Sequence, residues 1–263
     1  MYEFHKDKQV YFKQQTDNAE AYVLPFIESV RPLQTDMRVL EVGCAEAGVL
    51  KAFLNRGLSG IGVELTEYRA NLAKDFLKKE IDEGAALIIS KNIYDEAFAQ
   101  QYKASFDLIV LKDVIEHIHD QEKIIKKLRE FLRPGGLIFF GFPPWQMPFG
   151  GHQQICKNKV LAKLPYMHLL PRPLYRSILT WGGESSIHID ELMEVKETGI
   201  SIERFEKCIK SANMSILKRT YYLINPIYQY KFGLKARKQN VIIASVPWLR
   251  NYFTTCMYYL IGC

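Results

Sequence analysis

The side chains best placed to do chemistry gather around one stretch, Arg38-Val39-Leu40-Glu41-Val42-Gly43-Cys44-Ala45-Glu46-Ala47-Gly48. It reads as a buried strand that ends in an acidic residue and runs into a turn of small residues opening a helix. Such a turn lets backbone N–H groups approach a ligand at a helix N-terminus, where doubly wound sheets seat nucleotide-like cofactors. Gly43, Ala45 and Gly48 match the dinucleotide fingerprint with one substitution, and Glu64 stands about 20 positions on, where that fingerprint wants an acid. Glu41 argues the other way, since a carboxylate there repels a pyrophosphate and suits a ligand with a cationic amino group. Glu64, followed by Leu65, ends the second strand, where its two oxygens can accept both hydroxyls of a ribose. Two imidazoles are the candidate general bases, His117 just past the fourth strand and His152 behind Gly150-Gly151, because they titrate near neutral pH. Asp113 and Glu116 are expected to orient the turn or cap the next helix rather than take a proton.

The elements that must hold these residues follow from punctuation and periodicity. Residues 1–35 are expected to form an N-terminal arm and helix. The arm interleaves Tyr2, Phe4, Tyr11 and Phe12 with Lys6, Lys8 and Lys13, and either closes over a site or packs on the surface; the helix spans 18–30, kinked or restarted at Pro25. A helix over 49–56 shows Leu50, Phe53 and Leu54 on one face and stops at Gly57. Strands are expected at 61–64, 86–90 and 106–112, with helices over 66–81 and 121–132. In the turn Leu132-Arg133-Pro134-Gly135-Gly136, Pro134 stops the helix and the glycines permit positive φ before the fifth strand. A helix over 202–212, a sixth strand over 215–223, a helix-like basic run over 228–238, an apolar stretch ended by Pro247 and a last strand over 253–261 complete the chain. Residues 143–200, rich in Pro, Gly and aromatics at their start, leave the ligand-binding edge of the sheet and read as a lid-like insertion.

The ordered signals Phe106 to Ile118, with its Lys112-Asp113-Val114-Ile115-Glu116-His117 run, and Leu132-Arg133-Pro134-Gly135-Gly136-Leu137-Ile138-Phe139-Phe140 resemble class I S-adenosylmethionine-dependent methyltransferases, closest to the ubiquinone-biosynthesis type. The resemblance is specific over residues 38–143. It implies a single α/β domain over 1–263, a doubly wound (Rossmann-like) seven-stranded sheet with an antiparallel last strand between the fifth and sixth, and a helical insertion after strand five. It further implies S-adenosylmethionine as cofactor, with Glu41, Gly43, Ala45, Gly48 and Lys112 around the methionine part, Glu64 and Leu65 at the ribose, and Asn92 and Ile93 at the adenine. Ala45 and Ala47 stand where the family's turn has glycine, a replacement that is tolerated where φ is negative. The acceptor is then a small molecule methylated on oxygen or nitrogen. An RNA methyltransferase, or a cofactor-binding protein without catalysis, is the alternative.

Composition narrows the reading. A chain of 263 residues, 48% hydrophobic, can bury the core of one large α/β domain. Residues 151–263 carry 16 Lys and Arg against 7 Asp and Glu, a net of +9 within a total of +6, which points to an anionic substrate or surface. The five cysteines show no metal or disulfide spacing, so no metal is expected, and the cytoplasm fits best. No run of 18 apolar residues and no apolar leader occurs, so neither a membrane span nor secretion is expected.

Overall fold

The computed structural model describes residues 7–263; Tyr2, Phe4 and Lys6 of the expected arm lie outside them. Five parallel strands, β1 (Arg38–Val42), β2 (Ser59–Glu64), β3 (Ala86–Ser90), β4 (Phe106–Lys112) and β5 (Leu132–Phe142), form the first part of the sheet. β6 (Ser215–Ile224), β7 (Arg237–Lys238) and β8 (Cys256–Gly262) complete it in the order β3-β2-β1-β4-β5-β8-β6-β7. β8 runs antiparallel to both β5 and β6, as expected of the last strand. The count is eight rather than seven. The added strand is a two-residue edge pair, Arg237 and Lys238 against Ile224 and Tyr222, reached after Gly233 turns the chain at φ +71°.

β1, β2 and β4 are buried almost throughout because both faces are covered, whereas β6 is half-exposed and β7 exposed. Along β1, Leu40 and Val42 enter one buried cluster and Val39 the other, the period-two alternation of a strand. Helices α4 (Gln121–Phe131) and α7 (Ile202–Ser211) pack on the first face through Ile124, Leu128, Phe131, Phe205 and Ile209. On the second lie α2 (Gly48–Asn55) and an N-terminal helix, α1 (Lys8–Asn18), which continues through a π-helical turn, Ala19–Val23, into Leu24–Glu28. The helix thus starts ten residues before the expected one. Asp7 caps it, its carboxylate accepting the N–H groups of Gln9 and Val10 at 3.0 and 3.1 Å. Helix α3 (Glu67–Phe76) follows β2.

Residues 143–200 leave the end of β5 and return to it, the Trp145 N–H donating to the Ile200 carbonyl at 2.9 Å. Between these ends α5 (Arg172–Trp181) and α6 (Ser186–Thr198) enclose a separate apolar cluster that includes Tyr175, Leu179, Leu192 and Met193. Gly199 admits the Trp145 ring: a Cβ there would lie 2.5 Å from it. Residues 249–253 are helical, so the last strand begins at Cys256. Among the described residues no helix is long and apolar enough to cross a membrane.

Candidate functional site

β1 delivers Glu41 and Gly43 to the C-terminal edge of the sheet. Gly43 turns the chain at φ +68°, and its N–H donates to the Val63 carbonyl at 2.8 Å, tying the turn to β2. A Cβ on Gly43 would stand 2.6 Å from the Val114 side chain, so the approach of the β4 turn requires glycine here. Ala45 and Ala47 sit at φ +50° and +61°, in the left-handed region that costs an L-residue free energy. The tolerated negative φ expected for them is therefore not what the turn adopts.

Glu64, 6% exposed, is pinned from both sides: one oxygen accepts the Ala45 N–H and the other the Thr66 N–H, each at 2.9 Å. A carboxylate has lone pairs enough for one further donor on each oxygen, so the group is held in place and still receptive. Glu41 is buried too, with one oxygen accepting the Leu50 N–H at 2.8 Å. Burial raises its pKa to about 8 despite that hydrogen bond and Lys112. Lys112 donates to Asp113 at 2.6 Å and to Gln15 at 3.1 Å. Burial opposes its charge, but Asp113 and Tyr11 prevail and hold its pKa above the ordinary lysine value. The cation is thereby turned onto a carboxylate at the edge of the site.

Helix α1 roofs this arrangement. Thr16 donates to the Gly48 carbonyl at 2.9 Å, and Lys8 meets the buried Glu46 at 2.6 Å. A Cβ on Gly48 would lie 2.6 Å from the Phe12 carbonyl oxygen, which shows how closely α1 rests on the start of α2. Beneath it is a cavity of 360 Å³, in the size range of small-molecule sites. Glu41, Gly43, Ala45, Gly48, Glu64, Leu65, Lys112 and His117 line it, together with Tyr11, Phe12 and Gln15 of α1. Asn92 and Ile93 are not among its lining residues. The Asn92 side chain accepts the Tyr94 N–H at 3.0 Å within its own turn, and Ile93 belongs to the main core.

The two imidazoles come together. His117 ends the single turn Ile115–His117 after β4, and its ring centroid is 5.0 Å from that of His152, which stands behind it from the start of the insertion. Burial lowers the pKa of both, His152 to about 4 with help from His117, so both are neutral at pH 7. Glu116 points inward: it is buried, and its Oε2 has no hydrogen-bond partner among the described residues. It does not cap α4, a task performed by Asp120, which accepts the Lys123 N–H at 2.9 Å. Glu46, Gln15 and Arg69 also line the cavity without having been singled out from the sequence. Of these, Glu46 alone carried a signal, an acid in an otherwise small-residue turn.

The arrangement can hold a ligand that carries hydroxyls for Glu64 and a cationic group for Glu41. Residues 14–158 match a family described as a methyltransferase domain. Among curated proteins the chain is 33% identical over 117 residues to the ubiquinone biosynthesis O-methyltransferase of Idiomarina loihiensis, covering 44% of this chain and 46% of that protein. It is 28% identical over 117 residues to the enzyme of that name from Paracidovorax citrulli, covering 44% and 48%. The chain thus spans about half the length of the curated relatives it matches. Its fold is similar to geranyl diphosphate C-methyltransferase from Streptomyces coelicolor A3(2), with a TM-score of 0.59 and 13% identity over 94% of this chain and 79% of that one. It is also similar to the plantazolicin methyltransferase, with a TM-score of 0.53 and 11% identity over 98% and 86%. The family match covers more than half of the chain and takes in the turn, both pinned carboxylates and the two imidazoles, so this protein belongs to the methyltransferase domain family.

Proposed function

We propose that the protein transfers the methyl group of S-adenosylmethionine to an oxygen or nitrogen of a small, anionic acceptor. The observation that carries this reading is Glu64, buried at the end of β2 with both oxygens fixed by the turn's backbone and facing a cavity beside Glu41. The Glu64 carboxylate suits the ribose hydroxyls, and Glu41, held protonated by burial in the free protein, is drawn into its ionised form by a ligand ammonium but not by the pyrophosphate of a dinucleotide. The cofactor supplies a methyl group on a sulfonium, which makes transfer an in-line displacement. The chain's own share is alignment and removal of the acceptor's proton. Glu41, Gly43, Ala45, Gly48, Lys112 and Leu65 hold the methionine and ribose parts, and α1 excludes water from above. Asn92 and Ile93 do not line the cavity, so they reach the adenine only if the turn at 91–95 rearranges.

The acceptor enters from the side of His117 and His152, whose neutral imidazoles are the proton acceptors in this account. The net charge of +9 on residues 151–263, which supply His152, favours an anion there. The relatives named for ubiquinone biosynthesis O-methylation support oxygen as the methylated atom. We place the protein in the cytoplasm, where its five cysteines, all unpaired, stay reduced. Thermal unfolding with and without ligand tests the reading. S-adenosylhomocysteine at a hundred times its dissociation constant should stabilise the fold by about 2.7 kcal/mol, and NAD should not. A shift with NAD and none with S-adenosylhomocysteine would overturn it.

A further inference from the structure

We propose that Arg69 recognises the charged end of the methyl acceptor, which makes the acceptor a hydroxylated oxyanion, either a carboxylate or a phosphate ester. The inference rests on the methyl-transfer reading and names the substrate class for that same site. Arg69, on α3, stands in the wall of one cavity with His117, Val114 and Ile118 of the turn that follows β4, and it is exposed. Its charge reaches His117, where it opposes protonation of the ring. Among the described residues no hydrogen bond or ion pair engages its guanidinium.

The local sequence gives this cation no partner of its own. Its neighbours one helical turn away are Leu65, Thr66, Leu72 and Ala73, none of them acidic, so the usual pairing along a helix face is missing. Arg69 also lies in the first turn of α3, where the helix macrodipole disfavours positive charge. A guanidinium is thus set where the helix opposes it, beside a cavity in which an anion would offset that opposition.

The other cations near the site have tasks already. Lys8 meets Glu46 at 2.6 Å, and Lys112 donates to Asp113 at 2.6 Å and to Gln15 at 3.1 Å. Lys231 lies 5.4 Å from the centroid of the Tyr11 ring, Asp113 is the strongest charge acting on it, and it is not among the residues that line the cavity. Arg69 therefore keeps its fork of N–H donors for a ligand. A guanidinium holds a carboxylate or phosphate through two parallel hydrogen bonds, so it fixes direction as well as charge. Glu46 and Glu64 repel an anion from the cofactor's part of the cavity, and an acceptor anchored on Arg69 presents its hydroxyl on the side of His117.

Calorimetric titration tests the assignment, at low ionic strength because salt screens an exposed charge. The protein is first titrated with S-adenosylhomocysteine and then, once saturated, with benzoate, its neutral isostere benzamide, and inorganic phosphate. The wild type should bind one of the two anions at least about tenfold more tightly than benzamide, the scale of hydrogen bonds between charged groups. Preference for benzoate assigns a carboxylate acceptor, preference for phosphate a phosphate ester. Arg69→Gln should remove that preference and Arg69→Lys should keep part of it, since lysine restores the charge without the fork. Lys74→Gln, on the same helix with its Nζ on Asn71 at 3.3 Å, should leave it unchanged. Affinity for S-adenosylhomocysteine should stay within about threefold throughout, about 0.7 kcal/mol. No preference for either anion in the wild type, a preference undiminished in Arg69→Gln, or a loss of S-adenosylhomocysteine affinity beyond about tenfold in that variant would each overturn the proposal, the last by placing the guanidinium on the cofactor. Cofactor binding without anion preference removes the role of Arg69 and leaves the methyl-transfer reading standing; no cofactor binding by the wild type overturns both.

Discussion

Ala45 is one of two residues, with Ala47, at which this turn departs from the glycine-rich form. At φ +50° and part-exposed, it carries strain of about 1–2 kcal/mol, against which glycine would lose about 0.4–1 kcal/mol of chain entropy. Ala45→Gly should therefore stabilise the protein by about 0.5 kcal/mol in urea unfolding, the opposite sign to the same change inside a helix such as at Ala52. A second residue-scale expectation concerns pH. Glu41 has its folded pKa raised by burial to about 8, above the unfolded carboxylate value. The folded state then binds more protons between those values, so stability from this group falls as pH rises. His152 has the opposite sign, since a folded pKa of about 4 costs stability as pH falls from 6.5 toward 4. Above pH 6.5 only the Glu41 loss remains of these two. Unfolding free energy measured from pH 6.5 to 8.5 should decline in the unliganded wild type, and Glu41→Gln should flatten that decline; an unchanged slope in the variant would refute the assignment.

At the scale of elements, α1 and the turn at 43–48 act as one unit. Gly48→Ala places a methyl group against the Phe12 carbonyl, so α1 must lift from the cavity it roofs. We expect a stability loss of about 1–3 kcal/mol, the usual cost of overpacking, with a parallel loss of S-adenosylhomocysteine affinity. Affinity unchanged in calorimetry would mean that α1 is no part of the site. The position of α1 was poorly legible in the sequence, for a physical reason. Its buried residues are the polar Gln15, Thr16 and Asn18, of which Thr16 bonds to the turn and Gln15 to Lys112, so no hydrophobic stripe announces a helix. The eighth strand escaped notice likewise, because exposed Arg237 and Lys238 pair only by backbone. By contrast β1, β2 and the carboxylates they carry, Glu41 and Glu64, were plain, since burial on both faces forces continuous apolar runs punctuated by small residues.

For the molecule as a whole, the parallel strands bring Glu41, Glu64, Lys112 and His117 to one edge, and the insertion returns His152 to the same place. Residues far apart in sequence meet there because β1 lies between β2 and β4 and because β5 ends where the insertion begins. Proximity of His117 and His152 could not be read from the sequence, as it depends on the path of a 143–200 excursion closed by Trp145 and Ile200. The insertion has its own apolar cluster, which makes it a body placed on the sheet rather than a loose loop. The central claim is that this edge binds S-adenosylmethionine through Glu64. Calorimetric titration with S-adenosylhomocysteine of wild-type protein and Glu64→Ala tests it most directly. One site per chain is predicted, weakened in the variant by about 1.5–3 kcal/mol, the scale of hydrogen bonds to a charged group. Equal affinity in both proteins, or no binding by the wild type, would contradict the account.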